Sequence, residues 1–211
     1  LVGIVTIDDA MDIMQQEETE DILRGGASEP LRKPYFSVSI FRLTKMRIIW
    51  LIFLAVAGAL TVKVLNSFES ILNQEILLAL FIPLIIGIGG NTGSQSATVI
   101  VRALAMNQVQ NNDVLRVAIR ETTVGILLGL MLGLMAYFTI SVLFKKELAM
   151  VVAFSLITIC SIGALVGSLM PVLSRVFRLD PAVVSAPLVS TVIDAAGLLI
   201  YFMLAKIILK L

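Results

Sequence analysis

Residues 76–106, ILLALFIPLIIGIGGNTGSQSATVIVRALAM, decide the fold. The ends of this run are apolar, but its middle, Pro83 to Thr98, carries four glycines and a cluster of amides and hydroxyls. A helix needs about 20 apolar residues to cross about 30 Å of hydrocarbon, and this run exceeds that length. Polar or irregular backbone at membrane depth is tolerated only against protein or a water-filled cavity. The stretch therefore predicts a membrane-spanning helix that is kinked, tilted or interrupted, with Asn91, Thr92, Ser94, Gln95 and Ser96 turned toward a cavity or gate. The other reading of the glycines is a small-residue packing face. Packing needs glycines, but not so many amides.

The rest of the chain is of the same kind. Its 211 residues are 58% apolar and 15% charged, with a mean hydropathy of +1.00. A soluble domain averages roughly 45–50% apolar and 25% charged residues. Further spans are predicted at 46–65, 117–144, 148–174 and 182–209, separated by short loops, so consecutive spans run antiparallel. The fold class is an all-α integral membrane protein with five transmembrane helices and a short cytoplasmic strand–helix remnant at the N-terminus. Arg24, Arg32, Lys33, Arg42, Lys45, Arg47, Arg102, Arg116, Arg120, Arg175 and Arg178 fall on one side. Only Lys63, Lys145, Lys146, Lys206 and Lys210 fall on the other. By the positive-inside rule the N-terminus is cytoplasmic and the C-terminus outside, in a multi-pass protein of the plasma (inner) membrane.

Composition also excludes. There is no histidine, which removes the usual zinc sites and Ser-His or Cys-His catalysis. Cys160 is the single cysteine, so no internal disulfide forms. A net charge of +1 argues against a nucleic-acid partner. The chain starts at Leu1 rather than Met, its first residues lack the charged-then-apolar pattern of a signal peptide, and it is expected to be a piece of something longer. Residues 1–45 hold eight of the fifteen acids. There Val2–Thr6 reads as a short strand, and Asp8 or Asp9 as the cap of a helix running through an acidic stretch to Gly25-Gly26. Residues 27–35 read as a linker.

One acid lies deep in a span. Asp194 sits near the middle of the last helix, where an acid costs about 2.5–3.5 kcal/mol on insertion scales. No basic residue occupies the centre of any other span, so no intramembrane salt bridge is available. Pro187, Ser190, Asp194, Gly197 and Tyr201 share one helical stripe. A small, polar stripe with one unpaired acid is what a cation path requires. The alternative is a protonated Asp194 hydrogen-bonded to a neighbouring helix. Glu121 reads as a structural partner of Arg116 and Arg120, and Cys160 as a small apolar filler. Met131, Met135, Phe138 and the series Gly125, Gly129, Gly133 read as packing.

Pro83 with GGNTGSQSAT (89–98) and Arg102-Ala103-Leu104-Ala105 resembles the second-helix signature of the MgtE family of magnesium channels. Asp180-Pro181-Ala182, Val184-Ser185-Ala186-Pro187 and DAAGLLIY (194–201) resemble that family's last helix. Gly3-Ile4-Val5-Thr6-Ile7-Asp8-Asp9 resembles the end of a cystathionine-β-synthase (CBS) domain, and Glu18-Thr19-Glu20-Asp21-Ile22 the family's acidic plug helix. The resemblance implies a division into a CBS remnant (1–16), a plug helix with linker (17–45) and a pore domain (46–211).

It further implies a homodimer whose pore lies between subunits. That pore would be lined by Gly89, Gly90, Asn91, Thr92, Gln95, Ser190, Thr191 and Gly197. Both Asp194 carboxylates would hold a largely hydrated Mg²⁺. Glu20 and Asp21 match plug-helix acids that bind regulatory Mg²⁺ and close the channel. Thr6 and Asp9 have the T-x-x-D spacing by which CBS domains hold nucleotide ribose. Ala186 stands where some members carry a polar residue and is left out of the ion site. The implied partners are a second copy, Mg²⁺ and membrane lipid, with no nucleic acid. Mg²⁺ keeps most of its waters and uses one or two carboxylates, which suits one Asp per subunit. No nucleotide-hydrolysis motif is present. A proton-coupled secondary transporter of another divalent cation, Co²⁺ or Mn²⁺, is the competing reading. An intramembrane aspartyl protease needs two facing acids, and only Asp194 is deep.

Overall fold

The computed structural model describes Gly3, residues 6–29, 35–177 and 184–211. All regular structure among these residues is helical. Helix α1 (Ile7–Gly25) precedes a 3₁₀ turn (Tyr35–Ser37) and α2 (Ile40–Ser67). Then come the short α3 (Glu69–Gln74), a 3₁₀ segment (Ile76–Phe81) and α4 (Ile82–Ala105). A 3₁₀ turn (Asn111–Asp113) leads into α5 (Val114–Leu143), followed by α6 (Lys146–Val176) and α7 (Ala186–Leu209). Five of these segments are long and apolar enough to cross a membrane: α2, 76–105, α5, α6 and α7. The residues on which the expected strand rests (2, 4 and 5), like Asp180 and Pro181, lie outside the described residues.

Helix α6 is the centre of the bundle. It packs along α5 on one side and along α4 and α7 on the other. Both approaches are backbone to backbone. A Cβ on Gly129 would lie 2.6 Å from the Ile157 Cα, one on Gly125 2.5 Å from the Cys160 carbonyl, and one on Gly133 2.9 Å from the Ala153 carbonyl. On the opposite side a Cβ on Gly167 would run into the Gly93 backbone, and one on Gly163 would sit 3.0 Å from the Gly89 carbonyl. Lipid tails are as apolar as leucine, so helices in a bilayer associate by such close packing rather than by escape from water.

Helix α2 is attached differently. None of its residues is buried. It leans on α7 and, across the turn, on α3. At its end Phe68 stacks on Phe202 at 5.1 Å. On the same side of the bundle Tyr201 donates a hydrogen bond of 2.9 Å to the Leu78 carbonyl, joining α7 to the 3₁₀ segment before α4. Phe81 meets Phe144 edge-on at 5.7 Å, and Lys145 reaches Glu75 at 3.9 Å.

Several expectations are corrected here. The glycine-rich middle of α4 does not interrupt it: the helix is continuous from Ile82 to Ala105, and the irregular 3₁₀ stretch lies before it. Gly89, Gly90 and Gly93 serve close approach to α6 and α7 instead, while Gly87 faces open space. Met131, Met135 and Phe138 are 71%, 63% and 66% exposed, so they face outward rather than pack, while Gly125, Gly129 and Gly133 do pack. Thr6, not Asp8 or Asp9, caps α1, with Asp9 at the third helical position closing the reciprocal bond. Glu121 makes none of the described ion pairs. Arg120 and Arg116 stand one and five residues before it, spacings that point away from its face of the helix.

The packing makes a direct prediction. Gly167→Ala places a methyl against backbone that cannot rotate aside, at an overpacking cost of about 1–3 kcal/mol. Gly58→Ala meets nothing within 4 Å and is neutral. Thermal unfolding of both variants in detergent should show a lowered midpoint for the first alone.

Candidate ion site

Helix α4 presents two faces of opposite character. Gly89, Thr92, Gly93, Ser96 and Ala97 are buried against α6 and α7. Thr92 donates to the Ile88 carbonyl at 2.8 Å and makes a longer contact, 3.7 Å, with the Cys160 sulfur. Gly87, Asn91, Gln95, Thr98 and Arg102 recur at helical spacing on the other side, and all are exposed. Amides and hydroxyls along such a stripe are costly against lipid, so this face belongs to water or to protein.

Helix α7 meets α4 at the edge between these faces. Ser185 caps α7, its hydroxyl accepting from the Leu188 amide at 3.4 Å. Pro187 sits in the first turn, where a missing N–H costs nothing. Ser94 of α4 donates to the Ala186 carbonyl at 3.2 Å and fixes the start of the helix. Two turns on, Asp194 is brought against Gly90. A Cβ on Gly90 would lie 3.3 Å from Asp194 Oδ1 and would collide with the Ser190 hydroxyl. Only a glycine leaves room there for both oxygens. Asp194 Oδ1 is itself buried and has no hydrogen-bond partner. A buried acceptor left unpaired costs about 1–3 kcal/mol, more when charged.

The expected site residues therefore divide. Asn91 and Gln95 stand on the uncovered face of α4, and Gly90, Ser190 and Asp194 converge beside it. Thr191 is half-buried, its hydroxyl on the Pro187 carbonyl at 2.8 Å. Gly89, Thr92 and Gly197 lie inside the seams of the single chain, Gly89 and Gly197 against Ile159. Among the described residues no three Asp, Glu, Cys or His side chains converge on one point. Among the described residues the acid at the α4–α7 seam stands alone.

Comparison with known proteins gives the family. The family profile MgtE, described as "Divalent cation transporter", matches residues 82–204, from the first turn of α4 to the last turns of α7. A "Magnesium transporter MgtE" of Thermus thermophilus is 41% identical over 210 residues, 100% of this chain. Proteins of the same name from Bacillus subtilis and Enterococcus faecalis are 33% and 32% identical, over 97% and 100% of this chain. The chain belongs to the MgtE family. It spans 47%, 45% and 46% of the lengths of these three relatives. This is a family of transporters, not of enzymes.

In this MgtE-family chain the second acidic region is α1. A cavity of about 550 Å³ separates α1 from the ends of α4 and α7. Glu18 and Asp21 line it from α1, facing Thr98 and Arg102 of α4. Glu20 is turned to Arg24, with which it forms an ion pair one helical turn along. Thr6 and Asp9 are engaged with each other: the Thr6 hydroxyl donates to Asp9 Oδ2 at 2.6 Å, and the Asp9 amide donates back at 3.2 Å. The bond from the Thr6 hydroxyl, joined by one of 3.1 Å from the Thr6 amide to the same Oδ2, holds the Asp9 carboxyl below its usual range. The cap is therefore complete at neutral pH and weakens as acid protonates Asp9.

One contact was invisible in the sequence. Arg175, in the last turn of α6, donates to the carbonyls of Leu104 at 3.1 Å and Val109 at 3.4 Å, and to Asn107 Oδ1 at 3.1 Å. It caps the end of α4 from a neighbouring helix. Asn107, left-handed at φ 53°, is the one local sign that the chain turns there.

If the Gly90 recess is part of the path, Gly90→Ala forces Ser190 and Asp194 away from α4. Ion uptake into proteoliposomes should fall at least about tenfold, in the range seen when a ligand's supports are disturbed. Gly58→Ala, remote from the site, should conduct normally.

Proposed function

We propose that this chain forms the membrane pore of a Mg²⁺-selective channel or transporter, passing Mg²⁺ into the cytoplasm down its electrochemical gradient. The observation that carries the reading is Asp194 Oδ1, buried at mid-helix without a partner beside the uncovered polar face of α4. A carboxylate, a hydroxyl and amides make an all-oxygen donor set, which suits a hard cation. Mg²⁺ dehydrates reluctantly and binds through one or two carboxylates while keeping several waters. A second copy related by a two-fold axis would supply the second carboxylate. Asn91, Gln95 and Thr98 would then line a wet path along the axis. A divalent ion moving through 100 mV gains about 4.6 kcal/mol, so inward flow with the N-terminus cytoplasmic needs no other energy source.

Regulation follows from the acids of α1. Glu17, Glu18, Glu20 and Asp21 crowd one segment, where like charges repel unless a cation lies among them. Cytoplasmic Mg²⁺ bridging Asp21, with Glu20 and Glu18, to neighbouring groups would hold α1 against the ends of α4 and α7. When internal Mg²⁺ falls, repulsion returns and the mouth opens.

Two measurements test this. Asp194→Asn and Asp194→Ala should reduce Mg²⁺ uptake into proteoliposomes to below about a tenth of wild type. Size-exclusion behaviour should stay unchanged. Wild-type uptake by either variant removes Asp194 from the path, and uptake at zero voltage that follows a pH gradient favours a proton-coupled transporter. Glu20→Ala with Asp21→Ala should leave conduction intact while raising the internal Mg²⁺ needed for closure, read in patch recordings. Unaltered closure would make these acids a solvated surface.

A further inference from the structure

From Pro30 to Phe68 the sequence contains no acid, yet it carries Arg32, Lys33, Arg42, Lys45, Arg47 and Lys63. Arg42, Lys45 and Arg47 lie in the first two turns of α2 and are exposed. They point to different sides of the helix, and none takes part in the described ion pairs. Of the α1 acids, Glu20 holds Arg24, while Glu18 and Asp21 line the cavity beside α4. Just before these cations the chain turns at Ser39, extended at φ −63° and ψ 146°, which caps α2. Around that turn Tyr35, Phe36, Ile40 and Phe41 are 56%, 97%, 83% and 83% exposed. The apolar body of the span begins only at Ile48. Large apolar side chains thus stand beside a cation collar, mostly uncovered by the described residues.

We propose that residues 35–47 bind anionic phospholipid headgroups in the leaflet where α2 begins. Arg42, Lys45 and Arg47 meet the headgroup phosphates, and Tyr35, Phe36 and Phe41 wedge at the boundary with the acyl chains. Aromatic rings favour that boundary because one part of it is apolar and the other wet. Charge selects the occupant. A zwitterionic headgroup has no net charge to offset three cations, and the acid-free segment supplies none of its own. The binding is independent of which way the chain crosses the membrane and of what it transports.

Trp50 provides the probe. It is the only tryptophan in the chain and lies within one turn of Arg47. The full chain is reconstituted in mixed vesicles containing equal fractions of phosphatidylglycerol and phosphatidylcholine, one or the other carrying bromine on its acyl chains. Brominated phosphatidylglycerol should quench Trp50 more strongly. The apparent preference should be at least about fivefold, the worth of a single Lys or Arg near an anionic surface. It should fall toward one in molar salt, which screens the attraction. Replacing Arg42, Lys45 and Arg47 together by Gln should abolish it, whereas Arg42→Lys with Arg47→Lys should keep it. Equal quenching by the two lipids, or a preference unchanged in molar salt, overturns the proposal. The salt series uses the wild-type chain, so the test stands even if the Gln variant fails to insert.

Discussion

Backbone contact with α6 is the constraint on which the bundle rests. Gly125, Gly129 and Gly133 bring α5 onto one side of α6, and Gly89, Gly93, Gly163 and Gly167 bring α4 onto the other. In a medium that offers no hydrophobic reward for association, dispersion at close range is what remains. Each of these positions is therefore a distance setting. A methyl group at any of them moves a whole helix, because what it meets is main chain or a side chain packed on both sides.

The geometry of Asp194 follows from the same setting. Once α4 is held against α6, its Gly90 is fixed, and α7 closes over it with Ser190 and Asp194 facing that gap. Ser94 on the Ala186 carbonyl and Tyr201 on the Leu78 carbonyl pin α7 to the α4 segment at two heights, on either side of the acid. Asp194 Oδ1 is buried there without a hydrogen-bond partner, and an oxygen so placed keeps its lone pairs for something that enters.

The number of spans and their approximate ends were legible in the sequence because little besides a membrane crossing calls for so long a run of apolar residues. Asp194 stood out for a related reason, since an acid amid such a run needs a purpose. What sequence could not give was which way apolar side chains point. Met131, Met135 and Phe138 read as packing yet face outward, because in lipid an apolar group is equally at home on either side of a helix. The α4 glycines left a kinked, tilted or interrupted helix and a packing face both open, and the neighbouring backbones show a continuous helix packed through them. The turn into 3₁₀ geometry at Ile76–Phe81 left one trace, Pro83 in the first turn of α4, which marks where the regular helix starts. Partners that are carbonyls, such as those of Arg175 and Tyr201, have no residue type by which to be found. The cap of α1 was misplaced by two or three residues because Asp8, Asp9 and Thr6 are all competent caps.

Helix α2 touches little besides α7 and the short α3, while α5 is joined to the rest through α6. The two flanks of the bundle are therefore not mechanically equivalent. A sideways load on α5 spreads into the glycine seams of α6 before reaching α7. A load on α2 passes directly to the helix that bears Asp194. The chain is built as a stiff wall with a single outrigger, and the outrigger rests directly on the helix that bears Asp194.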